Sequence, residues 1–324
     1  MSHVDEIRLM AKVARMYYDH GIRQNEITER LGIYQSTVSR LLKRARKTNM
    51  VRISVMTPPG IFAELEDALE QKFDLKEAIV VDTRSSEEHQ VHELGAAAAF
   101  FIESTVKPGT IIGISSWSRA LMAMGETLHP TGCGRGGKIV QLMGGIGTAE
   151  TQYHATHAVQ RIAYLIGAEP MLLQAPGVVG SVQARRVLSR DISVRQAADL
   201  FEKIDLALVG IGSTEPSSFL VNSGNAFSPA ERREIRSKGA VGSLCLRFFD
   251  AKGNPIKSAL DKRVIGIELD ALKRVERVVG IAAGPAKVSA ILGTLLSRRL
   301  NALITDRQTA KSLLDAEPIK GNAK

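Results

Sequence analysis

The sequence predicts an α/β protein in which a small all-α winged helix-turn-helix domain precedes a large Rossmann-like α/β domain. Three features predict it: short helical patterns before residue 48, a Pro-Pro-Gly break at 58–60, and strands alternating with helices from residue 77 onward. Continuous apolar strands joined by helices favour a mainly parallel sheet covered on both faces. The predicted domains are residues 1–56 and 61–324, joined by a linker at 57–60.

Three helices and a short strand are predicted in the first domain. Residues 5–20, 24–31 and 34–47 each place apolar side chains at helical spacing. Gly32 lies between the second and third helices and suits a tight turn. Residues 50–56 alternate apolar and polar side chains, which is typical of a short strand. This strand would form the wing of the domain.

The charge of the chain is concentrated at its N-terminus. The formal net charge is +9, and residues 1–52 hold 11 Lys and Arg residues against five acidic ones. A compact basic segment of this kind is expected in a protein that binds a polyanion. A basic helix face that is merely solvated is the alternative interpretation of the charge alone.

The third helix carries the candidate DNA contacts on its polar face. Side chains near the start of such a helix contact base edges in the major groove, and the basic ones beyond them hold phosphates. The candidates are Gln24, at the start of the second helix, and on the third helix Gln35, Ser36, Thr37, Ser39, Arg40, Lys43 and Arg44. A three-helix bundle that happens to be basic is the structural alternative.

The second domain shows a succession of short apolar strands. They are predicted at 78–81, 110–114, 138–143, 170–173, 206–209, 242–249, 277–281 and 302–304. Helices are predicted at 61–73, 88–103 and 285–298. In open parallel sheets, ligands bind at the loops that follow the strands. Candidate ligand-binding residues of these loops are Gly113, Ser115, Ser116, Trp117, Ser118, Gly144, Gly145, Gly210 and Gly212.

Three further side chains are candidates for contacts to a hydroxyl-rich or anionic ligand. Asp250 follows an apolar strand, where a carboxylate can accept two sugar hydroxyls or simply stabilise a turn. Lys287 lies in a first helical turn, where its charge opposes the helix dipole unless an anion is bound. His154 lies on a predicted helix and could donate or accept a hydrogen bond, or pack in the core.

Several classes of protein are not favoured by the sequence. The longest apolar run, at 94–102, is too short for a transmembrane helix, and Asp5, Glu6 and Arg8 precede any apolar stretch that could be a signal peptide. The two cysteines, Cys133 and Cys245, form neither a metal-ligand spacing nor a disulfide scaffold. We therefore expect a cytoplasmic protein with no metal, no cofactor and no membrane partner.

The chain resembles the SorC family of sugar-binding transcription regulators, which is sometimes grouped with DeoR-type regulators. The matching stretches follow in family order and are RMYYDHG (15–21), QSTVSRLL (35–42), GISSWSRAL (113–121), QLMGG (141–145), DLALVGIGS (205–213), FFDAKG (248–253) and AAGPAKVSAI (282–291). One departure is Thr156, where the family often carries Asn; this leaves the identity of the ligand open.

The resemblance implies a function and a set of partners. The large domain would share the fold of phosphosugar isomerases and deaminases but act as a sensor. The protein would bind double-stranded operator DNA as a homodimer or homotetramer. A sugar, a polyol or a sugar phosphate would change its DNA affinity, with Asp250 and Lys287 as contacts.

Two alternatives from other classes stay open at this point. One is a phosphosugar isomerase-like enzyme with an added DNA-binding arm, for which Asp250, Glu215, His154 and Lys287 would be the acid–base candidates. No tight catalytic motif supports it, and we expect no enzymatic activity. The other is a purely structural DNA-binding protein, which leaves the large α/β domain unexplained.

Overall fold

Two compact units make up the chain. The computed structural model describes residues 3–48, 50–51, 60–82, 86–146, 149–214 and 227–316. The units are Met1–Pro58 and Pro59–Lys324, so the division falls at the two consecutive prolines. Proline has no backbone N–H and a fixed φ, which disfavours the continuation of a strand or helix through this point.

The first unit is helical throughout its described part. Helix α1 spans His3–Ala14 and continues into a π-helical turn at Arg15–Asp19. Helix α2 spans Gln24–Leu31 and α3 spans Gln35–Lys47. Gly32 between them has a φ of 61°, a left-handed conformation that glycine adopts without steric cost. This turn redirects the chain so that α3 can pack across α2.

A small apolar core holds these helices together. Its buried members are Met10, Val13, Ala14, Ile27, Val38, Leu41, Leu42 and Ala45. The α3 members recur at helical spacing, so α3 buries one face and leaves the other face polar. The predicted wing strand lies outside the described residues except for residues 50 and 51.

A seven-stranded sheet forms the centre of the second unit. Its strands are β1 (Glu77–Val81), β2 (Ile111–Ile114), β3 (Lys138–Gln141), β4 (Glu169–Met171), β5 (Leu206–Gly210), β9 (Arg277–Ile281) and β10 (Ala302–Asp306). The spatial order is β1-β10-β9-β5-β2-β3-β4, and each neighbouring pair is parallel. The prediction of a mainly parallel α/β sheet is confirmed.

Helices alternate with the strands of the second unit. They are α4 (Ala63–Phe73), α5 (Glu87–Thr105), α6 (Arg119–Thr127), α7 (Ala149–Ile166), α8 (Val182–Leu188), α9 (Ile192–Ala198), α10 (Pro229–Ser237), α11 (Leu269–Leu272), α12 (Val288–Leu296) and α13 (Arg307–Asp315). Strand β5 shows that both faces are buried. Leu206 and Leu208 enter one apolar cluster, while Ala207 and Val209 enter another. The described residues include no helix long and apolar enough to cross a membrane.

The predicted strand at 242–249 is wrong as a single element. The structure has two antiparallel strands here, β7 (Ala240–Leu244) and β8 (Arg247–Asp250), and β7 also pairs with the short β6 (Gly212–Ser213). Cys245 and Leu246 have φ values of 48° and 66° and make the tight turn of this hairpin. Such turns normally use Asn or Gly, so the apolar residues at the turn concealed it.

Candidate functional site

A cavity of about 190 Å³ lies at the carboxyl ends of β2, β5 and β9. Strands β2 and β5 are neighbours in the sheet, but the chain continues from β2 to one side, through β3 and β4, and from β5 to the other. Loops diverge where the strand order reverses in this way, and ligands bind in the crevice that results. The topology therefore places the cavity where a small molecule is expected.

The loops after β2 and β5 are joined directly at the cavity. The Gly210 backbone N–H donates to the Ser115 hydroxyl at 2.8 Å, and the Ser115 N–H donates to the Leu208 carbonyl at 3.0 Å. A Cβ at Gly210 would lie 2.6 Å from the Ser118 Cβ. Glycine is needed at 210 because the two loops approach closely here, which the sequence alone did not reveal.

One wall of the cavity is apolar. Trp117 lines it and packs on the adjoining core cluster. Gly212 leaves room for the Ser243 hydroxyl, which would lie 2.7 Å from a Cβ at this position. Further apolar lining residues are Met143, Ile146, Ile211, Phe227, Leu246 and Phe248. An apolar wall with a few polar groups is typical of small-molecule sites.

Lys287 brings an ammonium to this cavity from the turn before α12. Burial lowers its pKa because desolvation disfavours the charged form; the nearby Glu87 carboxylate raises the pKa and Arg119 lowers it again. Among the residues that the structure describes, none accepts a hydrogen bond from this ammonium. A bound anion would supply the missing acceptor.

Three arginines add positive charge around Lys287. Arg119, at the start of α6, forms an ion pair with Glu87. Arg232 and Arg236 line the cavity from α10. Among the described lining residues these four cations face one carboxylate, so the cavity favours an anionic ligand. Sequence patterns did not single out these arginines, because none of them lies in a glycine-rich loop after a strand.

Three of the candidate glycines have a packing role away from the cavity lining. A Cβ at Gly113 would lie 2.7 Å from a leucine side chain of the neighbouring strand region. At Gly144 it would lie 2.4 Å from the Ala175 carbonyl oxygen, and at Gly145 it would lie 2.9 Å from the side chain of Gln152. The absence of a side chain at each position allows close packing of the elements around the site.

Three polar candidates also lie outside the cavity lining. Ser116 is buried and accepts a hydrogen bond from Gln141 Nε2 at 2.8 Å. The Asp250 carboxylate accepts from two backbone N–H groups at 2.9 and 2.8 Å and from the Asn254 side-chain amide at 3.1 Å, so it stabilises its own turn. His154 is exposed on α7. Glu215 lies outside the described residues.

The Cys245 thiol lines the cavity but is poorly suited to nucleophilic chemistry. Burial raises the pKa of the Cys245 thiol to about 12, and the Arg247 cation opposes this only partly. A thiol with so high a pKa is a poor nucleophile at neutral pH.

Within the described part of the chain, no group of three His, Cys, Asp or Glu side chains could hold a metal ion.

A second candidate site is the polar face of α3 in the first unit. Gln35, Ser36, Arg40 and Lys43 are exposed there. Thr37, Ser39 and Arg44 of this face are half-buried, and so is Gln24 at the start of α2. No acidic residue lies in the first turn of α3, while basic residues fill its last turn. The helix therefore presents an amide- and hydroxyl-bearing end followed by a cationic end.

Arg44 has a partner within the unit. Its Nη1 donates to Glu6 Oε1 of α1 at 2.5 Å, with both side chains about two-fifths exposed (41% and 39%). The contact fixes α3 against α1. Arg44 is thus less available to an external anion than Arg40 and Lys43.

Comparison with known proteins identifies the second unit. Residues 59–315 match the sugar-binding domain family, Sugar-bind. The chain belongs to this family. The resemblance to SorC-type regulators is confirmed by relatives that match almost from end to end. The sorbitol operon regulator of Klebsiella pneumoniae is 33% identical over 317 residues, covering 97% of this chain and 100% of the relative.

A second relative and a solved structure agree with this membership. The deoxyribonucleoside regulator of Bacillus subtilis is 33% identical over 309 residues, covering 95% of this chain and 97% of the relative. The full-length crystal structure of the sorbitol operon regulator SorC from K. pneumoniae is 32% identical, with a TM-score of 0.71 over 96% of this chain and 100% of that one. SorC-type regulators thus share the fold of this chain over both units.

Proposed function

We propose that this protein is a transcription regulator whose affinity for operator DNA is controlled by a sugar, polyol or sugar phosphate bound in the cavity. The observation that carries the proposal is the match to named operon regulators over 97% of the chain, together with the sugar-binding family match. The cationic cavity at the reversal of strand order supports a site for a small anionic effector.

The first unit is proposed as a winged helix-turn-helix with α3 as its recognition helix. Gly32 provides the tight turn between α2 and α3, and the exposed polar face of α3 supports docking in a major groove. Gln35, Ser36 and Ser39 would contact bases. Arg40 and Lys43 would neutralise phosphates, which sets affinity and its salt dependence.

A phosphorylated effector is favoured over a neutral one. The Lys287 ammonium, which has no hydrogen-bond acceptor among the described residues, and the arginines of α10 would neutralise a phosphate. Ser115, Ser118 and Trp117 would contact hydroxyls and the sugar face. Asp250 is retained as a secondary candidate from the family resemblance, because its carboxylate already stabilises a turn.

Control of DNA binding requires linkage between the effector and the arrangement of the recognition helices. We propose a homodimer or homotetramer in the cytoplasm that binds paired half-sites. The effector shifts the DNA affinity only if it binds the DNA-competent and DNA-incompetent arrangements with different affinity. The proposed likeness of the second unit to phosphosugar isomerases and deaminases concerns its fold alone.

The enzyme alternative is less well supported than regulation. Of its four acid–base candidates, Asp250 and His154 lie outside the described lining of the cavity, Glu215 lies outside the described residues, and Lys287 lines the cavity. The raised pKa of Cys245 does not favour a nucleophilic role. A phosphosugar isomerase needs a base within reach of the substrate proton. Formation of an isomerised product from any phosphosugar incubated with the purified protein would support the enzyme alternative.

The experiment that tests the proposal is a thermal-unfolding screen of the full chain. Sugars, polyols and their phosphates are compared pairwise, so that each phosphate is matched by its unphosphorylated parent. A ligand at about 100 times its dissociation constant stabilises the folded protein by ~2.7 kcal/mol. Stabilisation by at least one phosphate and not by its parent is expected. No stabilisation by any compound would favour a purely structural DNA-binding protein.

A further inference from the structure

Tyr34 differs from the other aromatic residues of the first unit. Its side chain is 83% exposed, and among the described residues it makes no hydrogen bond or ring contact. Tyr17 and Tyr18 are half-buried and pack edge to face with ring centroids 4.9 Å apart. The Tyr18 hydroxyl also accepts a hydrogen bond from Arg46 Nε at 2.7 Å. The Tyr34 ring therefore contributes nothing visible to the stability of its own unit.

Tyr34 does not serve the helix that it precedes either. It occupies the N-cap position of α3, and its carbonyl accepts hydrogen bonds from the Thr37 and Val38 N–H groups, but its side chain caps nothing. Ser, Thr, Asp and Asn are preferred at this position because their side-chain oxygens accept a backbone N–H. Side chains cap α5, α8, α9, α10 and α13 in this way, whereas α2, α4, α6, α11 and α12 lack a side-chain cap as α3 does.

The position of Tyr34 suggests a role outside its own unit. It directly precedes the exposed Gln35 and Ser36, at the end of α3 that approaches base edges if α3 is the recognition helix. An aromatic ring is apolar, and the apolar group that the major groove displays is the C5-methyl of thymine. The exposed ring is therefore placed where an apolar group of the operator DNA could meet it.

We propose that Tyr34 is a specificity-determining residue whose ring packs on the C5-methyl group of a thymine in the operator. This inference rests on the proposed function, because it requires α3 to enter the major groove. The contact selects thymine over cytosine at one base pair, whereas Arg40 and Lys43 add affinity without distinguishing bases.

The test uses the full chain and duplexes enriched from a random DNA pool by the wild-type protein. Each thymine of the enriched site is then replaced singly by deoxyuridine, which removes only the C5-methyl group. Wild type should lose about tenfold in affinity at one position, the loss typical of one base contact. Tyr34→Ser should bind the thymine duplex about tenfold more weakly and ignore the same uracil replacement. Its melting temperature should be unchanged or higher, since serine can cap α3.

Two control variants separate the outcomes. Tyr34→Phe keeps the ring and should retain the thymine preference; a loss equal to that of Tyr34→Ser would mean that the hydroxyl makes the contact and would overturn the inference. Arg40→Ala should weaken binding to all duplexes alike and keep the preference. Suppose that wild type loses affinity at one uracil position and Arg40→Ala weakens binding to all duplexes alike, while Tyr34→Ser still binds like wild type. In that case only the Tyr34 inference fails. If wild type enriches no sequence, the proposed function fails with it.

Discussion

Replacing Lys287 by methionine should change stability and ligand binding in opposite directions. In the free protein, burial lowers the pKa of Lys287 below its ordinary value of 10.5, because desolvation disfavours the charged ammonium. Methionine fills a similar volume without a charge. We therefore expect Lys287→Met to raise the melting temperature of the ligand-free protein slightly.

The lowered pKa of Lys287 also sets a pH dependence. The unfolded chain has the ordinary pKa of 10.5 and the folded chain a lower one, so in the pH window between the two the unfolded state binds more protons. Wild-type stability should consequently gain from rising pH in that window. The Lys287→Met variant lacks this gain. The amount by which its melting temperature exceeds that of wild type should therefore shrink as pH increases.

The effect on ligand binding can be estimated from a charge-assisted hydrogen bond. Losing one such bond costs ~2 kcal/mol, which raises the dissociation constant about 30-fold. At a ligand concentration about 100 times the wild-type dissociation constant, stabilisation then falls from ~2.7 to ~0.9 kcal/mol. For a domain of about 250 residues, this corresponds to a thermal shift that drops from roughly 5–10 °C to about 2–4 °C.

The assay is thermal unfolding of the full chain with and without the best phosphate from the screen. Lys311→Met is the matched control, because Lys311 is exposed on α13, away from the cavity lining. It should leave both the free stability and the ligand shift unchanged. A ligand shift in Lys287→Met equal to that of wild type would refute the assignment of Lys287 as the anion contact.

Three further outcomes follow from the structure. Arg40→Ala should reduce the slope of log affinity against log salt by about 0.9, the value for one phosphate contact; an unchanged slope would exclude that contact. Gly210→Ala should destabilise the protein by ~1–3 kcal/mol in urea unfolding, because its Cβ would lie 2.6 Å from another Cβ. Gly180→Ala, with nothing within 4 Å of the added Cβ, is its control and should be near neutral. A thiol reagent at pH 8 should label Cys133 but not Cys245 in the native protein, because burial raises the pKa of Cys245 to about 12; rapid labelling of both would contradict the buried position.

The sheet was predictable from sequence because its strands are short apolar segments between helices. Strands β1, β5 and β9 agree with their predictions within one residue at each end. The β7–β8 hairpin was missed because its turn uses Cys245 and Leu246, apolar residues with positive φ values that no turn preference signals.

The candidate site was only partly predictable. Ser115, Gly210 and Lys287 line the cavity because they follow strands that are adjacent in the sheet. Asp250 also follows a strand, but that strand belongs to the antiparallel hairpin, and its carboxylate is engaged in the turn. The arginines of α10 reach the cavity through tertiary packing, for which the sequence near them carries no signal.

Operator affinity measured with and without the stabilising phosphate decides whether the cavity controls the DNA-binding unit. Fluorescence anisotropy of an enriched duplex with the full chain gives both dissociation constants at fixed salt. We expect a saturable change of about 5- to 150-fold, typical of coupling between two sites. Lys287→Met should bind the DNA normally and need about 30-fold more ligand for the same change. Identical DNA affinity with and without saturating ligand would contradict control by the cavity.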